Sequence, residues 1–261
     1  MFQDKAQLPG SLYSLFGTAF TVLHPSKQSR IMYPSKGCWK VITHEEQYYT
    51  VRESIGRGNK KMQEAKYARY TDDEFCSVGP NDLVVDVGAF LGEFSLAAAR
   101  HAGEVLAIEP DPKSFRCLSL QTADRDNIIV LNELPLNERT TLSFKSATDG
   151  SESSVINVDR GEYEEVEILA KPLDDIFAEQ GITHVDFMKI DAEGAEPEVL
   201  RGLQETKVDK LVIDVGKERN GAGTENEVRE ILEDRGYDCR VKSDQNEDDL
   251  LFAVLKNTDS Y

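Results

Sequence analysis

Two groups of carboxylates, each set where an apolar run ends, are the residues of this chain best suited to chemistry. The first begins at Asp86, which follows Val84 and Val85 and opens the segment DVGAFLG over residues 86–92. Gly88 and Gly92 let the backbone turn tightly and approach a ligand with no Cβ between. Residues 93–100 then read as a helix whose free N–H groups point back at that ligand. Glu109 ends the next apolar run, 23 positions after Asp86, where a carboxylate can accept both hydroxyls of a ribose. This is a nucleotide cradle, but Phe90 stands where the GxGxxG fingerprint has its central glycine. Without that glycine a pyrophosphate has no close approach, which argues against NAD and FAD.

The second group follows the strand-like residues 184–190: Lys189, Asp191, Glu193 and Glu196 crowd one end, Pro197 starts a helix and Gly202 closes it. Carboxylates at a helix start are favoured by its dipole by about 0.3–1 kcal/mol each, so capping is one reading of all three acids. The other is chemical: Asp191 and Glu193 orient a hydroxyl or hold a divalent cation, with Lys189 balancing their charge. His44 is a further candidate base in the N-terminal segment, whereas His184 starts its strand at the opposite end and reads as structural.

These groups require a frame of strands ending at one edge. From residue 83 onward short apolar runs alternate with helical patterns, which predicts a largely parallel sheet covered by helices on both faces. Strands are expected at 83–87, 104–109, 128–131, 184–190, 209–215, 237–242 and 249–255, and helices nearest 93–100, 112–122, 173–180, 195–201 and 223–235. Asp111 and Pro112 supply the cap and first residue of the second helix. The long stretch 137–183 asks for additional strands, one of them at Val166 to Ile168.

Residues 1–80 differ in character. They hold the only Trp, Trp39, and six of the nine Tyr. Residues 12–23 are expected to form a helix packed on the domain, 41–51 strand pieces and 62–70 a helix. The turn cluster Gly79-Pro80-Asn81-Asp82 marks a boundary. The division is therefore a cap that recognises the acceptor, 1–80, and a ligand-binding domain, 81–261. Between Arg52 and Arg69 six basic residues face two acidic ones. They read either as a solvated helix face or as a receiver for an anionic acceptor.

The 261 residues suffice for one large α/β domain plus this segment. A net charge of -18 sets the surface as a whole against nucleic acid and anionic lipid. Four dispersed cysteines without a CxxC pair fit a reducing cytoplasm and no structural zinc. The apolar residues 12–23 are too few to span a bilayer, and no signal-peptide pattern precedes them. Oligomeric state is open, a dimer included.

The order strand, Asp86, glycine loop, helix, strand, Glu109 resembles class I S-adenosylmethionine (AdoMet) methyltransferases, whose cofactor has a ribose and an amino-acid tail but no phosphate. VVDVGAFLG (84–92) together with MKIDAEGAEPEVLRG (188–202) is similar to the FkbM family of these enzymes. The match extends through AIEPDPKSFRCLSLQ, NIIVLNELPLNE, AKPLDDI and LFAVLK, covering residues 83–255. The resemblance implies a Rossmann-like fold, a seven-stranded mostly parallel sheet with its last strand antiparallel, and O-methylation of a sugar, glycolipid or polyketide hydroxyl. It implies a cofactor site built from Asp86, Gly88, Ala89, Phe90, Gly92, Glu109, Pro110, Asn132, Glu133 and Asp191, with Asp191, Glu193 and Lys189 as catalytic candidates, to which the N-terminal segment adds His44 outside the matched stretch. Two departures stand out. Phe90 replaces a usual Asn near the methionine end of the cofactor, and Asp214 and Gly216 stand where the family often has Glu and His. Two alternatives are a nucleic-acid methyltransferase, supported only by the basic stretch, and a non-catalytic AdoMet-binding module.

Overall fold

Val84, Val85 and Val87 alternate across a strand that is buried on both sides, and the whole architecture follows from that. The computed structural model describes residues 20–23, 29–43, 45–51, 54, 57–147, 163–219, 221–244 and 247–256. The central strands are β5 (Leu83–Val87), β6 (Glu104–Ile108), β7 (Ile128–Leu131), β11 (His184–Ile190), β12 (Lys207–Asp214), β13 (Tyr237–Asp244) and β14 (Glu247–Leu255). They lie in the order β13-β14-β12-β11-β5-β6-β7. β14 runs antiparallel to both neighbours and every other pair in the sheet is parallel. The chain reverses strand order at β5, so the carboxyl ends of β5, β6 and β11 open on the crevice where ligands bind in such sheets.

Alternation sorts side chains into two cores. Val85, Val87, Leu106, Ile108, Met188 and Ile190 face one way. There they meet α4 (Leu173–Gln180), α5 (Glu196–Arg201) and α6 (Glu225–Asp234) through Phe177, Leu200 and Val228. Val84, Val105, Ala107 and Phe187 face the other way, onto α2 (Glu93–Ala98) and α3 (Pro112–Thr122) through Phe94 and Leu118. Burying each large apolar side chain contributes about 1.5–3 kcal/mol, so a strand buried on both faces is held far more firmly than one with a wet face.

The N-terminal part forms an antiparallel sheet of β1 (Phe20–Leu23), β2 (Ser29–Ser35), β3 (Cys38–Ile42) and β4 (Gln47–Thr50), followed by α1 (Lys60–Tyr70). The helix expected over 12–23 is corrected at its end: 20–23 pair with 29–32 as a strand, and 12–19 lie outside the described residues. The β-branched Thr21 and Val22 favour that outcome. α1 begins at Asn59, whose side chain accepts from the Met62 amide at 3.0 Å. It packs on α2, in the layer of α2 and α3: Tyr70 meets Phe94 edge-on at 5.8 Å, and Tyr67 stacks on Phe94 at 6.2 Å and on His101 at 4.6 Å. Residues of α1 therefore share a core with the central sheet. In the long stretch before α4, β8 (Leu134–Leu136), β9 (Thr140–Ala147) and β10 (Tyr163–Pro172) make a separate three-stranded sheet, with Val166–Ile168 inside β10. No helix among the described residues is long and apolar enough to cross a membrane.

Candidate active site

Two loops meet at the carboxyl edge, and their contact is backbone on backbone. Gly88 has φ +73°, and a Cβ there would lie 1.8 Å from the carbonyl oxygen of Asp191. The β5–α2 loop thus lies directly against the β11–α5 loop. Both loops contain a non-glycine residue in left-handed conformation, Phe90 and Glu193, each at φ 50°. Such conformations persist only where the surroundings hold them, and they concentrate at functional sites.

Lys189 ties the junction. Register places it beside Asp86 on adjacent parallel strands. Its ammonium lies 3.1 Å from Asp86 Oδ1 and 3.6 Å from Asp191 Oδ2, and it donates to the carbonyls of Gly88 at 2.7 Å and Val87 at 3.2 Å. Burial alone would lower its pKa, but Asp86 and Asp191 outweigh that and hold it above the ordinary value. Asp86 is itself fully buried, with Ser95 Oγ donating to Oδ2 at 2.5 Å. It therefore shapes the loop from below, through Lys189, and presents no surface of its own.

Glu109 closes the other side of the cradle. It accepts from the amides of Phe90 at 2.7 Å and Asp111 at 2.8 Å. Burial, then the Asp111 charge, raise its pKa to about 8 against the lowering effect of those two amides. Asn132 donates to the carbonyls of Glu109 and Pro110 at 2.8 and 3.0 Å, fixing the turn. Glu133 pairs through Oε1 with Lys171 at 2.9 Å. Ala89 is buried, donating its amide to Ile108, and Gly92 starts α2 at φ 82°. Phe90 is half-buried, and the guanidinium of Arg57 lies 4.7 Å from its ring centroid.

Asp191 is partly exposed, with 20% of its side chain accessible. Its Oδ2 accepts from the hydroxyl of Tyr70 at 2.8 Å. Burial pushes its pKa up, but Lys189, Lys66, the Tyr70 hydrogen bond and Arg69 together bring it below the usual carboxylate value. Tyr70 and Arg69 come from α1: the Arg69 guanidinium donates to the Tyr70 oxygen at 2.6 Å and to Asp214 Oδ2 at 3.0 Å. Asp214 Oδ2 lies 3.4 Å from the Tyr70 hydroxyl, and burial, then Asp191, raise the Asp214 pKa to about 6 against Arg69. Tyr70, Arg69 and Asp214 were not among the candidate residues. The signals available were the basic stretch and the unusual Asp214.

Glu193 lies with Asp191 and Glu218, one oxygen from each within 4.8 Å of the others. Burial and the charges of Glu193 and Asp191 drive the Glu218 pKa up to about 10. This is where a divalent cation would go, with Glu218 joining the two residues already proposed. Glu196 does not cap the helix but ties the loop before it: it accepts from the amides of Ala192 and Gly194 and from the Thr224 hydroxyl. His184 lies at the opposite edge beside Asp209 and Asp186. His44 lies outside the described residues.

A switch-point crevice, a buried carboxylate at the end of β6 and a glycine loop with Phe90 at its centre are the arrangement of a class I AdoMet-dependent methyltransferase. The residues fit that cofactor: Glu109 suits the ribose diol, and the carboxylate-rich junction suits a sulfonium. A family model described as the methyltransferase FkbM domain matches residues 86–239, and the chain belongs to that family. The 31-O-demethyl-FK506 methyltransferase FkbM of Streptomyces tacrolimicus is 29% identical over 208 residues, 67% of this chain and 77% of its own length. Methyltransferase sdnD of Sordaria araneosa is 26% identical over 199 residues, 63% of this chain and 77% of that one. In fold, the chain resembles methyltransferase FkbM from Methylobacillus flagellatus, with TM-score 0.50 and 21% identity over 70% of this chain and 46% of that one. It also resembles Aeropyrum pernix fibrillarin bound to AdoMet, with TM-score 0.50 and 10% identity over 90% of this chain and 99% of that one.

Proposed function

We propose that the enzyme methylates a hydroxyl oxygen of a small polyhydroxylated acceptor, a sugar or glycolipid among them, with Asp191 as the residue that orients the hydroxyl and takes its proton. The observation that carries this is the state of Asp191: ionised, partly exposed, and fixed through Oδ2 by Tyr70 and Lys189. The cofactor supplies an activated methyl group. An attacking hydroxyl that gains a methyl becomes strongly acidic, so a carboxylate with a depressed pKa suffices to remove its proton. The chain's main contribution is then alignment, which can supply roughly 7–11 kcal/mol when the reacting atoms are held in line. Glu193, beside Asp191, offers a second acceptor for a neighbouring hydroxyl. The role of residues 1–80 as the acceptor cap is supported by α1, which brings Tyr70 to Asp191. O-methylation is also what the name of the Streptomyces tacrolimicus relative describes.

The test is release of S-adenosylhomocysteine with a panel of sugars, glycolipids, polyketide alcohols and RNA. Turnover with a hydroxyl acceptor, lost in Asp191→Asn while cofactor affinity is kept, is the expected result. A preference for RNA, or normal turnover of Asp191→Asn, would overturn it.

A further inference from the structure

AdoMet ends in an amino acid, whose carboxylate is bound more tightly where a cation faces it. Around the junction of the two loops Lys189 is committed to Asp86 and to the carbonyls of Val87 and Gly88. Arg69 is committed to Asp214 and Tyr70. Two further cations, one of them without an ion pair among the described residues, reach the junction through Tyr70 and Phe90, and both precede residue 86, where the family match begins. Lys66 is half-buried on α1, its ammonium 5.5 Å from the centroid of the Tyr70 ring, whose hydroxyl holds Asp191. It makes no ion pair among the described residues. Burial lowers its pKa, and Arg57, Arg69 and Lys189 add to that, with Asp191 opposing. A half-buried ammonium among like charges is stabilised by an incoming anion. Arg57 is held over the Phe90 ring at 4.7 Å, while its Nε meets Glu93 at 3.3 Å. Glu93 also accepts from the Gly58 amide at 2.9 Å, which fixes the backbone next to Arg57. Phe90 thus serves as a platform that carries a guanidinium to the cofactor loop.

We infer that Arg57 and Lys66 form a carboxylate-binding subsite for the amino-acid end of AdoMet, so that the N-terminal segment completes the cofactor site. Phe90 contributes there through Arg57, in place of a direct polar contact. These cations then serve the cofactor ahead of any anionic acceptor. The inference rests on the AdoMet assignment, which the wild-type protein's affinity for AdoMet tests separately.

Calorimetry on the full chain with AdoMet and with decarboxylated AdoMet, which differ only in the carboxylate, is decisive. A charge-assisted contact predicts that the wild type prefers AdoMet by about tenfold or more. In Lys66→Met and Arg57→Met that preference should shrink to within about threefold. Affinity for decarboxylated AdoMet should stay the same in both variants, and in Lys66→Met the melting temperature should stay the same as well. Equal loss for both ligands would reduce the two residues to packing. An undiminished preference in both variants would overturn the subsite and return these cations to an anionic acceptor. Failure of the wild type to bind either ligand would refute the cofactor assignment itself.

Discussion

The buried state of Glu109 makes cofactor affinity a function of pH, and the effect is large enough to measure. With its pKa near 8, the free enzyme at neutral pH holds this carboxyl mostly protonated. With Glu109 as the proposed ribose ligand, hydroxyls would donate to its carboxylate, so binding would favour the ionised form and expel a proton. Each pH unit below the pKa weakens apparent affinity tenfold, about 1.4 kcal/mol. At pH 6 roughly one carboxyl in a hundred is ionised, so affinity should fall about a hundredfold from its plateau above pH 9. Calorimetry with S-adenosylhomocysteine from pH 6 to 9, in buffers of differing ionisation enthalpy, reads both the affinity and the proton released. Close to one proton per ligand is expected at pH 7. The same series on Glu109→Gln subtracts the titration of the ligand's own amino group and should be weaker by an order of magnitude at high pH. Affinity independent of pH, or an identical pH dependence in the Gln variant, would refute the reasoning.

Three further outcomes follow from the junction. Gly88→Ala places a methyl 1.8 Å from the Asp191 carbonyl at φ +73°; thermal unfolding should show a loss of at least about 2 kcal/mol, and a wild-type midpoint would contradict the backbone contact. Lys189→Met strips the buried Asp86 of its cation and should cost about 3–5 kcal/mol in urea denaturation, part of it recovered by adding Asp86→Asn. Glu218, with a folded pKa near 10 against 4.5 for the free side chain, contributes stability that is complete below about pH 4.5 and lost as pH rises through 10. The wild-type melting temperature should therefore drop between pH 8 and 10 more steeply than that of Glu218→Gln, and parallel curves would refute the shift.

The frame was legible because it is written in local patterns. β5, β7 and β11 begin and end where the apolar runs do, and Asp111 with Pro112 marks the start of α3. Gly88, Gly92 and Glu109 were legible too, since the turn and the strand end each require them. What escaped were pairings across the chain. Tyr70 meets Asp191 from 121 positions away, and nothing in α1 reveals which helix it stacks on until Phe94 is in place. Glu133 shows the same limit: its position after β7 is readable, but its pairing with Lys171, 38 residues on, is not. The basic stretch was visible as composition, yet only packing separates the exposed Lys60 and Lys61 from the half-buried Arg57, Lys66 and Arg69.

The contact of Gly88 on the Asp191 carbonyl has a consequence for how such an enzyme can diversify. The β5–α2 loop and the β11–α5 loop meet main chain on main chain, with the Asp191 amide also donating to the Val87 carbonyl at 3.1 Å, and so form one anvil. Substitutions that leave Gly88 in place keep that main-chain contact. Adaptation to new acceptors then falls to the parts laid over the anvil, and segments exchanged there between relatives would inherit an alignment already set.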